Sequence, residues 1–367
     1  MTEAPPNELE WLRDCWDPTV HDVRGLARLQ AAIAARPVPV VEPWREVGRA
    51  TVTLAELPAL AVEARLSMHR STVMDLAVGP SGDAASVDFS GRWSVWDQAS
   101  LRERARGDLR REARAISLSE DGARIAALVN LGESARYNYD AFIVALDGED
   151  GIHCRGRAVE RVRWEGEFLA LGGALGYRVH HASGALVCGD ESPKGLSAAC
   201  FVDAPPRGLL RCVRRGVLGG VELGTRRALP CLDLAPLARA RYHWRQAGFD
   251  VRSAGDLVAL SPSSRDVFVL ELERGRPIVH LALEGVEVVD MKLAFDASGR
   301  SLLLSATHLG GQQVTHLVYV GSRGAVVGAL TTSERMFGHH ARAVMAYDHR
   351  RVFAADGDTI VAARWQG

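Results

Sequence analysis

Lysine is almost missing from this chain: Lys194 and Lys292 are the only two among 44 basic residues, and the rest are arginines. Such a skew reads as the codon bias of a GC-rich bacterial genome. Selection for bidentate phosphate or carboxylate binding would need the arginines gathered on one face. Net charge is missing too. A formal value of −1 over 367 residues gives no global pull toward nucleic acid or a membrane surface. No run of about 18 apolar residues exists, which excludes a transmembrane helix. The start, MTEAPPNELEW, lacks a basic stretch followed by an apolar one, so it does not read as a signal peptide. These absences predict a cytoplasmic location.

Metal and redox signatures are also absent. Cys15, Cys154, Cys188, Cys200, Cys212 and Cys231 contain no C-x-x-C pair and mostly lie in apolar runs. They are expected to be buried thiols, not disulfides or zinc ligands. There is no G-x-S-x-G elbow, no H-E-x-x-H and no P-loop. Gly172-Gly173 and Gly219-Gly220 are expected to be turns. The acidic stretch from Asp147 to Gly151 lacks the ligand series of a calcium loop and reads as a strand connection. His180-His181 and His339-His340 are adjacent pairs, and neighbours on a strand point to opposite faces, so neither pair is placed to chelate. No catalytic residue, cofactor or metal site is predicted.

What the chain does contain is β-meander patterning. In residues 69–97, Val73, Leu76 and Val78 mark one strand and Pro80-Ser81-Gly82 a turn. Residues 85–89 read as a second strand, Ser90-Gly91 as a tight turn, and residues 93–96 as a third strand. Residues 101–106 carry alternating charge that suits an exposed outer strand.

His69, Val73, Leu76, Val78, Pro80, Gly82 and Trp96-Asp97 follow the WD-repeat consensus, with the last pair one residue early. The unit resembles a blade of that family. The family's turn aspartate would fall near Gly91 and is not found there, so its buried His–Ser–Asp–Trp network is expected to be incomplete. Weaker copies recur at Ile116 to Gly122, Leu293 to Gly299, Gly338-His339-His340 and Asp356 to Ile360. Residues 161–188, 196–234 and 242–284 are β-rich without signature residues. Residues 59–367 divide into seven units of about 44, the period of a four-stranded blade. The last unit has room for three strands, and residues 60–66 are expected to supply its fourth. The resemblance therefore implies an all-β, seven-bladed β-propeller of four-stranded antiparallel blades over residues 59–367, closed by an N-terminal strand.

Residues 1–58 fall outside the repeat. Thr19 and Asp22 form a capping-box-like start, and Val20, Val23, Leu26, Leu29 and Ile33 recur at helical spacing. One amphipathic helix over residues 20–35 is expected, followed by a further strand at Thr51-Val52-Thr53-Leu54. The helix packs on the propeller or serves as a docking arm anchored by Trp11, Leu12 and Trp16.

In a four-stranded blade, the connections between second and third strands share one face. That places Arg136, Tyr137, Tyr139, Arg214, Arg215, Arg265, His308 and Gln312 on one rim as a partner-binding surface. The function expected is a non-catalytic protein-interaction scaffold or regulatory subunit of a bacterial multi-protein assembly, in defence or signalling. Its partners are one or more proteins, with no membrane. The alternatives are a hydrolase or lyase with a site at the channel mouth, and a nucleic-acid-binding propeller using the arginine rim. The near-neutral charge weighs against the last.

Overall fold

A computed structural model describes residues 49–365. Outside the description lie 133–138, 148–150, 156–158, 174–175, 191–197, 202–208, 215–216, 223–226, 234–248, 251–256, 262–265, 272–275, 286–287, 297–299, 309–312, 334–342 and 347–349. The expected helix and its anchors Trp11, Leu12 and Trp16 fall outside the described residues.

The described chain is all-β, with only short 3-10 turns besides strands. Two strands come first, β1 (Arg49–Thr53) and β2 (Ala61–Leu66). The first sheet is then a meander of β3 (Val73–Val78), β4 (Asp83–Asp88), β5 (Arg92–Asp97) and β6 (Glu103–Asp108). The second holds β7 (Ala113–Leu118), β8 (Arg124–Asn130), β9 (Tyr139–Ala145) and β10 (Gly151–Cys154). The third holds β11 (Val159–Glu165), β12 (Phe168–Gly173), β13 (Gly176–His181) and β14 (Leu186–Asp190). The fourth holds β15 (Ala198–Phe201), β16 (Leu209–Arg214), β17 (Val217–Glu222) and β18 (Arg227–Asp233). The fifth holds β19 (Phe249–Asp250), β20 (Leu257–Leu260), β21 (Asp266–Glu271) and β22 (Arg276–Glu284), with β1 added outside β22. The sixth holds β23 (Val288–Phe295), β24 (Ser301–His308), β25 (Gln313–Val320) and β26 (Ala325–Ser333). The seventh holds β27 (Ala343–Met345), β28 (Arg351–Asp356) and β29 (Thr359–Arg364), with β2 as its outer strand.

Position in the sheet decides the residue pattern. All six residues of β4 are buried, because both faces of an inner strand are covered by neighbouring sheets. Period-2 alternation disappears in such strands, and the aspartates that begin and end β4 are accommodated by hydrogen bonds. The outer strand β6 reads Glu-Arg-Ala-Arg-Gly-Asp and is mostly exposed. Charge there blocks edge-to-edge pairing. Gly107 on β6 has its own reason: a Cβ would lie 2.4 Å from the Trp93 ring, which covers that position. Gly172-Gly173 and Gly219-Gly220 prove to be strand residues, in β12 and β17, and not the expected turns. Gly220 adjoins an irregularity in the β17–β18 register, a common place for a strand glycine.

Most sheets share their apolar side chains with the next in chain order. Met74, Val87 and Trp93 of the first sheet pack with Ile116, Leu118 and Ile125 of the second. Leu128 and Ile143 of the second pack with Trp164, Leu169 and Leu171 of the third. The third meets the fourth through β12 and β15. The fifth and sixth share one cluster, and the sixth and seventh another. The seventh returns to the first: Phe353, Ile360 and Ala362 pack on Val73, Leu76 and Trp96. Backbone groups stitch the same seams. Asp75, buried in the first sheet, accepts from its neighbour Leu76 N and from Ile116 N of the second, each at 2.8 Å. Ser117 Oγ of the second accepts from Trp164 N of the third at 2.8 Å.

The segment from Arg49 to Leu66 is a strap over the outside of three sheets. β1 runs parallel to β22, from Arg49 opposite His280 to Thr53 opposite Glu284. Leu60 N then donates to Ala329 O at 2.8 Å, and Ala329 N donates to Pro58 O at 2.9 Å, on the outer strand of the sixth sheet. β2 finally pairs antiparallel with β29, Ala61 opposite Arg364 and Leu66 opposite Ile360. That last pairing is the one expected from the three-strand final unit. The first two were not foreseen. Val52 and Leu54 fill the cluster between fifth and sixth sheets, and Leu60 the cluster between sixth and seventh. Charge closes the strap: Glu63 pairs with Arg351 Nε at 2.6 Å and Arg364 Nε at 2.8 Å. Arg351 Nη1 also donates to Gln98 O of the first sheet at 2.7 Å. Leu60→Ala should cost about 2 kcal/mol, as a buried leucine is cut back at the edge of a core that can partly collapse. Urea denaturation checks this, and an unchanged midpoint would mean that the strap is not seated.

Candidate interaction rim

In each meander the connection between second and third strands lies at the same edge as the connection to the next sheet. Hydrogen bonds across four seams join these edges from the sixth sheet, through the seventh, first and second, to the third. Ser333 at the end of β26 gives its N–H, at 2.9 Å, and its hydroxyl, at 2.5 Å, to Asp356 at the end of β28. Val73 N donates to Gly357 O at 2.7 Å, joining the seventh sheet to the first. Ala113 N donates to Phe89 O at 3.3 Å, joining the first to the second. Arg178 Nη1 donates to Arg155 O at 3.2 Å, joining the third to the second. Gly91, at φ +91, is needed at this rim, because a Cβ there would lie 2.1 Å from Arg111 O.

Beneath the rim of the first sheet is a buried polar cluster. His69 Nε2 pairs with Ser86 Oγ at 2.6 Å, and His69 Nδ1 is 3.4 Å from Asp88 Oδ2, with both side chains fully buried. Asp88 Oδ1 accepts from Ser90 Oγ at 2.7 Å and from Arg92 N at 3.0 Å, shaping the tight turn. Burial pushes the Asp88 carboxyl up, but hydrogen bonds from His69, Ser90 and Arg92 together hold it below its ordinary value. The aspartate beside His69 stands at the end of the second strand, two positions after Ser86, where it caps the tight turn. Trp96 is buried nearby in sequence, and its Nε1 has no hydrogen-bond partner.

The second sheet has a comparable cluster below its long connection. Glu112 Oε1 accepts from the Tyr139 hydroxyl at 2.5 Å and from Arg114 Nε at 3.3 Å, and its Oε2 accepts from Asn130 Nδ2 at 3.1 Å. The Arg114 guanidinium lies 4.5 Å from the centre of the Tyr139 ring. Burial pushes Glu112 up, and its hydrogen bonds from Tyr139 and Asn130, with the Arg114 charge, outweigh it to hold the group low.

The sequence-expected rim residues separate as follows. Tyr139 is 1% exposed and belongs to the core shared with the third sheet, so it is not a surface residue. At the first position of β9 its ring faces the seam, and Glu112 satisfies its hydroxyl. His308 is half-buried at the end of β24, with Nε2 2.8 Å from Thr315 Oγ1, and burial lowers its pKa. Arg214 is the last residue of β16, at the rim edge. Arg136, Tyr137, Arg215, Arg265 and Gln312 fall outside the described residues. Of the histidine pairs, His180 is buried with Nδ1 3.1 Å from Gly184 O, while His181 lies on the other face, 3.7 Å from Glu167. Burial lowers His180.

A feature that sequence reading missed recurs on two sheets. In the second, His153 of the outer strand stacks on Phe142 and reaches Asp140 at 2.6 Å. In the fifth, His280 lies against Phe268 and reaches Asp266 at 2.9 Å. The signal was available as Asp-x-Phe on a third strand followed by His on the fourth. Cys154, next to the first of these, is buried, and burial, aided by the Asp140 charge, pushes its thiol up to about 11.

Among the described residues no group of three or more His, Cys, Asp or Glu side chains is arranged to hold a metal ion. No described helix is long and apolar enough to cross a membrane. No protein-family model matches the chain, and no curated protein matches it in sequence.

Proposed function

We propose that the seven sheets are the blades of a closed, seven-bladed propeller of the WD-repeat kind, and that the protein is a non-catalytic scaffold subunit of a bacterial multi-protein assembly. The chain-order packing, with Trp96 of the first sheet against Phe353 of the seventh at 5.8 Å between ring centroids, supports the ring. The observation that carries the scaffold reading is the stitched rim. Backbone bonds at the first sheet's seams, with Ser333 on Asp356 and Arg178 on Arg155 O, fix the described sheet edges to one another and make them a rigid frame. Rigid frames bearing exposed loops lower the ordering cost of association.

Affinity purification of the tagged protein from its native host tests this. The full chain should retain a stoichiometric partner through a high-salt wash. Deletion of residues 1–35 should reduce recovery if Trp11, Leu12 and Trp16 anchor it. Charge reversal of Arg214 and Arg215 should reduce recovery about tenfold if the rim contributes. Recovery of no partner by any form would remove the scaffold reading.

A further inference from the structure

Five arginines occupy the rim connections of the first three sheets. Arg70 precedes β3, Arg92 opens β5, Arg110 and Arg111 link β6 to β7, and Arg155 follows β10. Four of them are exposed, and the Arg92 side chain retains 37% of its accessible surface. The connections bearing most of them touch one another. Phe89 N donates to Thr72 O at 2.9 Å, and Leu109 N donates to Gly91 O at 3.0 Å. Arg111 Nη1 donates to Leu131 O at 3.2 Å, tying the next connection in.

The acids of the same arc are largely engaged. Asp88 is buried, Glu112 is hydrogen-bonded by Tyr139, Asn130 and Arg114, and Asp356 is held by Arg65 and Ser333. Asp108 lies 3.9 Å from Arg92. Asp358 is the exposed acid at the arc's edge. Among the described residues, Arg70, Arg110 and Arg155 have no carboxylate partner for their side chains. A second observation marks the same place. Arg110 holds φ +55, a left-handed conformation that a non-glycine residue rarely adopts, and its N–H is fixed by Asp108 Oδ1 at 2.7 Å. Such conformations cost energy and cluster at functional sites.

We propose that this arc docks an extended, acidic segment of a partner protein. The inference rests on the scaffold reading and gives its partner a chemistry. Guanidinium forks match carboxylates in bidentate geometry. A carboxylate-bearing peptide is favoured over nucleic acid because the arc is short, is interrupted by Asp108 and Asp358, and belongs to a chain of net charge −1.

The test is fluorescence anisotropy with the full chain and three labelled probes of equal length: a Glu-Gly repeat peptide, its Gln-Gly counterpart and oligothymidine. The Glu-Gly peptide should bind at low ionic strength and weaken as salt shortens the screening length to about 10 Å at 0.1 M. The triple variant R70E/R110E/R155E should bind it at least tenfold more weakly with an unchanged thermal midpoint. If that variant melts early, R70Q/R110Q/R155Q replaces it and should still lose several-fold. Equal affinity of wild type and variant, equal binding of the Gln-Gly peptide, or tighter binding of oligothymidine would each overturn the proposal. If wild type and triple variant retain the same partner from the native host equally, the arc fails and the scaffold stands. If neither retains one, the scaffold fails, while the peptide titration still decides the arc.

Discussion

Replacing Trp96 with alanine should destabilise the protein by about 4 kcal/mol, the range expected for truncating a buried tryptophan. Trp96 is fully buried on β5 and meets Phe353 edge-on, with an interplanar angle of 87°. It is the largest side chain in the cluster that joins the first sheet to the seventh. Its removal therefore leaves a cavity at the junction where the chain returns on itself. The loss should be local in hydrogen exchange, with amides of β3 and β27–β29 opening before those of β7–β9. Trp96→Phe separates shape from hydrogen bonding. The indole N–H has no partner, so phenylalanine loses contact area and no bond, and should cost about 1–2 kcal/mol. Guanidinium denaturation of both variants checks the pair of values. A Trp96→Ala protein within about 1 kcal/mol of wild type would mean that first and seventh sheets are not packed, and the closed ring would fall with it.

Titration of His316 alone should lower stability by about 3 kcal/mol between pH 6.5 and pH 4. His316 is buried on β25, between Ser305 Oγ at 2.8 Å and Thr332 Oγ1 at 3.0 Å. Burial holds its pKa down to about 4 against an ordinary 6.5, with the Asp356 charge opposing weakly. The unfolded chain then takes up the proton first. The contribution is complete above pH 6.5, shrinks as pH falls, and is gone below about 4, at about 1.4 kcal/mol per pH unit. His180 and His308, also lowered by burial, act with the same sign. The depressed carboxylates Asp88, Glu112 and Asp356 begin to add their loss near their ordinary values, as the unfolded chain takes up their protons first, and the loss is complete only below their folded values. His316→Gln should flatten the curve between pH 6.5 and 4. An identical pH profile for wild type and variant would contradict the assignment to His316.

Sequence reading found what local pattern encodes. The turn at Pro80-Ser81-Gly82, the charged outer strand, the β-rich spans of the third to fifth sheets and the pairing of residues 60–66 with the last strand all follow from periodicity, turn chemistry and the need to cover an edge. The approach of Asp88 to His69 was not legible, because it depends on how the loop before the first strand folds over the end of the second. Tyr139 was assigned to the surface because its connection is polar. Its burial is decided by the third sheet's apolar side chains, with Glu112, 27 residues earlier, satisfying its hydroxyl. β1 could not be placed, because a parallel partner more than two hundred residues away leaves no mark on Arg-Ala-Thr-Val-Thr. The candidate rim was legible as an edge, by topology, but the hydrogen bonds that stitch it were not. They depend on which backbone groups the sheets bring together.

The strap also sets a timetable for synthesis. Ala61 pairs with Arg364 and Arg49 with His280, so the outer strand of the seventh sheet emerges from the ribosome about three hundred residues before its partner. At roughly 5–20 residues per second, β2 waits on the order of 15–60 s with its edge open. During that interval Leu60 has no complete seam to enter, whereas Val52 and Leu54 need only the fifth and sixth sheets and can seat first, so the strap closes from its β1 end toward β2.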